Sequence, residues 1–167
     1  MKSISRWSLA LVVGTLMISI ATAAEAQQAV RPSRHVISAN PFGLLVGLFN
    51  VEYERKVSES ATAGVGGSST FAHTDSEYVN ADMFYRYYPS GQPLEGWAFG
   101  VKMGMTRVTD EGSSFGFGFD SNWSSLMGKN DNFYVGVGFG LKRLFGTSDS
   151  ELKFIPTVRI INIGFAF

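Results

Sequence analysis

Three glycines at alternate positions, Gly136, Gly138 and Gly140 in NFYVGVGFGLKRLF, are the first residues whose type and spacing could do chemistry. Backbone N–H groups of a glycine-rich turn can cradle a phosphate. A dinucleotide site, however, needs Gly-x-Gly-x-x-Gly between a strand and a helix, and a P-loop ends in Gly-Lys-Ser/Thr. Here the spacing is Gly-x-Gly-x-Gly, and LKRLFGTSDS after it makes no long amphipathic helix. Gly128–Lys129 is followed by Asn130. The glycines therefore belong to another kind of element.

Histidines are the next candidates, and there are two. His73 lies in HTDSE with Asp75 and Glu77. One imidazole and two loop carboxylates fall short of a preformed metal site. His35 stands where the first regular segment begins. With no cysteine in the chain, thiolate metal sites, cysteine nucleophiles and disulfides are all excluded. Formal net charge is zero and no basic run occurs, so the electrostatic footprint of a nucleic-acid binder is missing. No catalytic, cofactor or metal residue is assigned.

The elements that hold these residues alternate with period 2, the signal of a strand. In WAFGVKMGMTRVT, Trp97, Phe99, Val101, Met103 and Met105 share one face, against Ala98, Gly100, Lys102, Gly104 and Thr106. In YVNADMFYRYY, Val79, Ala81, Met83, Tyr85 and Tyr87 oppose Asn80, Asp82, Phe84, Arg86 and Tyr88. Phe115, Phe117, Phe119 and Trp123 oppose Gly116, Gly118, Asp120 and Asn122. Phe133, Val135, Val137, Phe139 and Leu141 oppose Tyr134, the three glycines and Lys142. One face is large and aromatic; the other is small, polar and sparsely charged. That arrangement suits a barrel with lipid outside, where apolar residues alternate with lumen-facing polar ones. Only a closed barrel satisfies every strand hydrogen bond in hydrocarbon. A soluble periplasmic barrel is the rival, and the aromatic outward face speaks against it.

Breaks in the alternation place strands at 35–45, 48–57, 61–72, 78–89, 97–110, 113–127, 132–145 and 152–167. SES (58–60), SGQPLEG (90–96) and GKND (128–131) would turn on the periplasmic side. HTDSE (73–77), DEG (110–112) and GTSDSE (146–151) would turn outside. The expected fold is an all-β, eight-stranded antiparallel up-and-down transmembrane barrel. Near Gly47 the apolar phase slips from even to odd positions. A slip marks either a tight hairpin or a bulge; one long strand would leave seven, so the hairpin is the expectation. A barrel this narrow has room only for side chains, which explains the glycines. It also places Glu52, Glu54, Asp82, Arg86, Lys102, Asp120 and Lys142 in the lumen, four acids facing three bases. Charges there must be paired, so a salt-bridge network that plugs the lumen is expected.

The N-terminus is basic at Lys2 and Arg6, then apolar through WSLALVVGTLMISIATA, then small-x-small at Ala21–Ala23 and Ala24–Ala26. These are the parts of a secretory signal peptide. The expected organisation is a cleaved signal peptide at 1–26, a short extension at 27–34 and the barrel at 35–167.

Together with NVEYERKVSESATAGVG and a terminal aromatic, these features resemble the uncharacterised small outer-membrane barrel families and, more distantly, OmpX-like proteins. EYER (Glu52 to Arg55) entering a short turn is similar to their second strand. The resemblance implies a monomer in the bacterial outer membrane. It also implies partners: the β-barrel assembly machinery, periplasmic chaperones and lipopolysaccharide. Phe165 and Phe167 match the aromatic assembly signal; Ile160 and Asn162 stand where its polar residue and glycine would be. Some small barrels are lipid A-modifying enzymes, the runner-up reading. The deacylase type carries a His-x-Ser pair, but Ile37 follows His35 by two and Asp75 follows His73 by two. A palmitoyltransferase needs a hydrocarbon slot, which a charged lumen opposes. Arg107, Arg143 and Arg159 fall on the lipid-facing parity. At roughly 2.3–2.7 Å of height per tilted residue, all three reach the outer half, within range of lipopolysaccharide phosphates.

Overall fold

The computed structural model describes residues 34–70, 78–109, 112–145 and 154–167. The signal segment 1–26, most of the extension, His73 with Asp75 and Glu77, and the DEG and GTSDSE connections lie largely outside them. Among the described residues, eight strands close into one antiparallel barrel in chain order. They are β1 (His35–Ala39), β2 (Leu48–Ser58), β3 (Ala61–Thr70), β4 (Tyr78–Tyr87), β5 (Gly96–Val108), β6 (Gly112–Met127), β7 (Phe133–Phe145) and β8 (Phe154–Ala166). His35 and Phe167 exchange both backbone hydrogen bonds at 2.9 Å, closing the barrel at the end called the base here. The opposite end is its mouth.

The alternating faces separate as their chemistry requires. Phe119 and Phe139 are 63% and 66% exposed on the outside, while Arg86 and Lys142 inside are 2% and 0% exposed. Aromatics run along the outer wall from base to mouth, with Phe119 and Phe139 near its middle. Trp97 opposes Trp123 and Phe133 opposes Phe165 near the base. Phe115 stacks on Phe145 near the mouth, ring centres 6.5 Å apart. Glycine relieves crowding inside: a Cβ on Gly140 would come 2.5 Å from the Phe119 carbonyl oxygen and 2.8 Å from Asp120 Cβ.

The phase slip near Gly47 is a hairpin. β1 stops at Ala39, short of the expected 45, because Pro41 has no N–H to continue a ladder. Gly43–Val46 then forms one 3₁₀ turn. Asn40 Oδ1 accepts the Gly43 N–H at 3.0 Å. Gly47 ends the turn in the left-handed region at φ 74°, which glycine adopts without strain. Phe42, Leu44 and Leu45 project from it, exposed.

Candidate functional site

The lumen is built in layers. At the base, Val36, Leu94, Leu126, Tyr134 and Ala166 form a buried apolar cluster. Leu94 comes from the connection between β4 and β5, at φ 74°, and is fully buried.

Above it lies a charge cluster centred on Arg86. Its guanidinium donates to Glu54 at 2.6 Å and to Glu52 at 3.2 Å, with Asp120 at 3.6 Å. Phe84, on the same face of β4, lies under it with its ring centre 3.8 Å away. Glu54 also accepts the Thr62 hydroxyl at 2.5 Å and the Tyr88 hydroxyl at 2.9 Å. Nearer the mouth, Lys142 uses all three ammonium protons. It donates to Asp82 at 2.5 Å, Asn80 at 2.8 Å and Thr106 at 3.0 Å. Lys102 donates to Thr157 at 2.6 Å and faces Asp120 at 3.7 Å. The seven charges assigned to the lumen from parity thus point into it together: Glu52, Glu54, Arg86, Lys102, Asp120 and Lys142 are buried, and Asp82 is half-buried.

Arg159 corrects the sequence reading. Expected on the lipid side, it is buried in the lumen. Its guanidinium meets Glu52 at 3.2 Å, the Tyr134 hydroxyl at 3.1 Å and Asn122 Oδ1 at 3.3 Å. The cause is a bulge. β7 advances two residues, from Gly136 to Gly138, while β8 goes three, from Asn162 to Arg159. Ile160 and Ile161 together stand against Val137, and the inward parity of β8 changes across them. Arg159 supplies the fourth base for the four lumen acids. Two signals for this were present in the chain. The parity count left one acid without a base, and Arg159 and Asn162, both polar, sit on opposite parities of one strand. The neutral partners Thr62, Tyr88, Thr106, Asn122 and Tyr134 were not singled out, although all stand on inward parity.

The remaining candidates lie apart from this cluster. Arg107 and Arg143 are on the outer wall near the mouth, Arg143 with its guanidinium carbon 5.0 Å from the Phe145 ring centre. His35 is at the base, its Nδ1 2.5 Å from the Tyr53 hydroxyl and its ring stacked on Phe167. Phe165 and Phe167 are exposed beside it. A cavity of about 160 Å³ extends from Arg86, Lys102 and Arg159 toward Leu48, Tyr78 and Ile155 at the mouth ends of β2, β4 and β8. The arrangement can hold charge and polar groups in balance; it gathers no activated nucleophile.

Solved structures similar to the chain include the N-terminal β-barrel domain of Pseudomonas aeruginosa OprF. It has a TM-score of 0.46 at 12% identity, over 82% of this chain and 98% of that one. The de novo designed TMB2.3 gives 0.34 at 14% identity, over 84% and 96% respectively. No protein-family model matches the sequence, and no curated protein matches it.

Proposed function

We infer that this chain is a non-catalytic integral barrel of the bacterial outer membrane, with a structural or surface-interacting role. One observation carries the reading: the barrel turns an aromatic, apolar face outward and pairs its carboxylates with bases in the lumen, Arg55, Arg107 and Arg143 standing on the outer wall toward its ends. Water would favour the reverse; hydrocarbon favours this arrangement. Heat-modifiable gel mobility of the membrane fraction tests it. The unboiled protein should run as a compact band and shift on boiling, whereas a protein that stays soluble without detergent would refute it.

The charge cluster and the apolar base close the lumen to ions under this reading, so planar bilayers should show no stable ion-selective conductance. Phe165 and Phe167 present the assembly machinery with an exposed aromatic end after delivery by periplasmic chaperones. Arg107 and Arg143 contact lipopolysaccharide phosphates. Replacing both with Gln should cost about 1–3 kcal/mol more in lipopolysaccharide bilayers than in plain phospholipid, the scale of charged hydrogen bonds. Equal losses in both would remove that contact from the reading. Lipid A mass spectra should be the same with and without the protein, which separates this role from a lipid A-modifying enzyme.

A further inference from the structure

The barrel wall is incomplete on one side. β1 pairs with β8 only from Val36↔Ala166 to Ala39↔Ile163. Toward the mouth, β8 continues from Asn162 to Phe154 with no strand on its β1 side among the described residues. The chain that would have continued the ladder forms the 3₁₀ turn instead. Pro156 falls within this unpaired stretch, and proline is confined in sheets to positions where an edge excuses its missing N–H. The cavity borders the same stretch of β8. It is lined by five consecutive residues of β8, Ile155 to Arg159. Unpaired backbone at membrane depth is tolerated where it borders a polar cavity.

The donors around this cavity are incompletely used. Lys142, outside the lining, has all its protons bonded, whereas Lys102 makes one hydrogen bond, to Thr157 on the open edge. Arg86 Nε and Arg159 Nε are buried without an acceptor. The lining carboxylates, in contrast, are engaged: Glu52 by both arginines, Asp82 by Lys142 and Asn80, Asp120 by Arg86, Lys102 and Asn122. Three acids and three bases line the cavity, so its net charge is zero. A ligand carrying net charge would upset this balance in a low-dielectric site. A zwitterion would not.

We propose that the cavity receives the phosphate–ammonium headgroup of a zwitterionic membrane phospholipid, which enters sideways between β8 and the β1–β2 turn. The phosphate takes the spare donors of Lys102 and the arginines. The ammonium lies toward the carboxylates, and the acyl chains stay outside against Phe42, Leu44 and Leu45. The proposal rests on the membrane reading above.

The test is NMR of the full barrel folded in neutral detergent micelles, titrated with a short-chain phosphatidylethanolamine. Backbone amides of Thr157, Arg159 and Gly66 should shift saturably. Lys102→Met should weaken binding roughly tenfold, the worth of one charge-assisted hydrogen bond, and Lys102→Arg should restore it. Equal affinity for phosphatidylglycerol would overturn the zwitterion. Equal affinity for free O-phosphoethanolamine would overturn sideways entry of a lipid. Absence of any saturable shift in a barrel that folds in micelles and shows heat-modifiable mobility would sink the site while leaving the membrane reading intact. Failure to insert at all would sink that reading instead.

Discussion

The two sides of this barrel are built differently. On one side β6, of 16 residues, pairs with β7 along a ladder from Phe115↔Phe145 to Met127↔Phe133. On the other side β1 has five residues and, among the described residues, leaves the mouth half of β8 without a strand. The long wall carries glycines inside, so the side chains of neighbouring strands can cross the lumen. Gly118 and Gly140 flank the Lys142 and Asp120 positions that use this space. The short wall carries instead a proline, a 3₁₀ turn and a bulge. The long wall supplies Asp120 and Lys142 to the lumen cluster, and the other charges reach it from β2, β4, β5 and β8. The difference is one of backbone pairing, not of hydrophobicity, since both sides present apolar residues outward.

The largest expected effect tests the anchor that ties the long wall to the rest of the barrel, since Arg86 on β4 joins Asp120 on β6 to Glu52 and Glu54 on β2. Arg86→Met removes the cation shared by Glu52, Glu54 and Asp120 and leaves buried carboxylates short of a partner. It should destabilise the folded barrel by about 3–5 kcal/mol, read by urea titration in lipid vesicles. A loss below one kcal/mol would mean that water reaches the cluster and that the anchor is weak. Next comes Gly140→Val, which overpacks the long wall against Phe119 and Asp120 and should cost about 1–3 kcal/mol. The identical change at Gly67, where a Cβ would meet only the Asn80 carbonyl oxygen at 3.6 Å, should cost less. If the two cost the same, the lumen face at Gly140 is no more tightly packed than the outer face at Gly67.

The smallest expected effect is at the thin side. Leu45→Lys, on the exposed 3₁₀ turn, should cost at most about 1 kcal/mol, as a lysine does near the membrane interface rather than at midplane. A cost of several kcal/mol would place the turn deep in hydrocarbon and make the notch a lipid-facing gap over its full height. Hydrogen exchange sharpens the comparison without mutation. Amides of β6 and β7 should stay protected at times when those between Ile155 and Ile161 that point to the open edge have exchanged, because local opening follows the density of backbone pairing. Equal protection would mean that the edge is covered.

Much of this was legible in the chain. The period-2 faces of β4 to β7 appear residue for residue, because a strand with an apolar outer face and a crowded polar lumen on the other side admits few exceptions. The seven lumen charges followed from the same parity. The hairpin at Gly47 was legible as a phase slip, though the early end of β1 was not. Alternation cannot show where a ladder loses its partner, and only the Asn40–Pro41 pair hinted at it. Arg159 was misplaced for a related reason. A bulge leaves the composition of a strand unchanged and reverses the meaning of its parity. The unbalanced lumen charge pointed to it, as did two polar residues, Arg159 and Asn162, on opposite parities of one strand.

By itself, the sequence determined that the chain makes strands, that one face of them is aromatic, and that charge must sit opposite. These are properties of single strands, set by side-chain alternation and transfer free energy. The tertiary structure decided which carboxylate meets which base, that β8 bulges to deliver Arg159, and that the wall thins beside β1. Each of these depends on register between strands distant in sequence. Closure of the barrel fixes that register, and no single strand contains it.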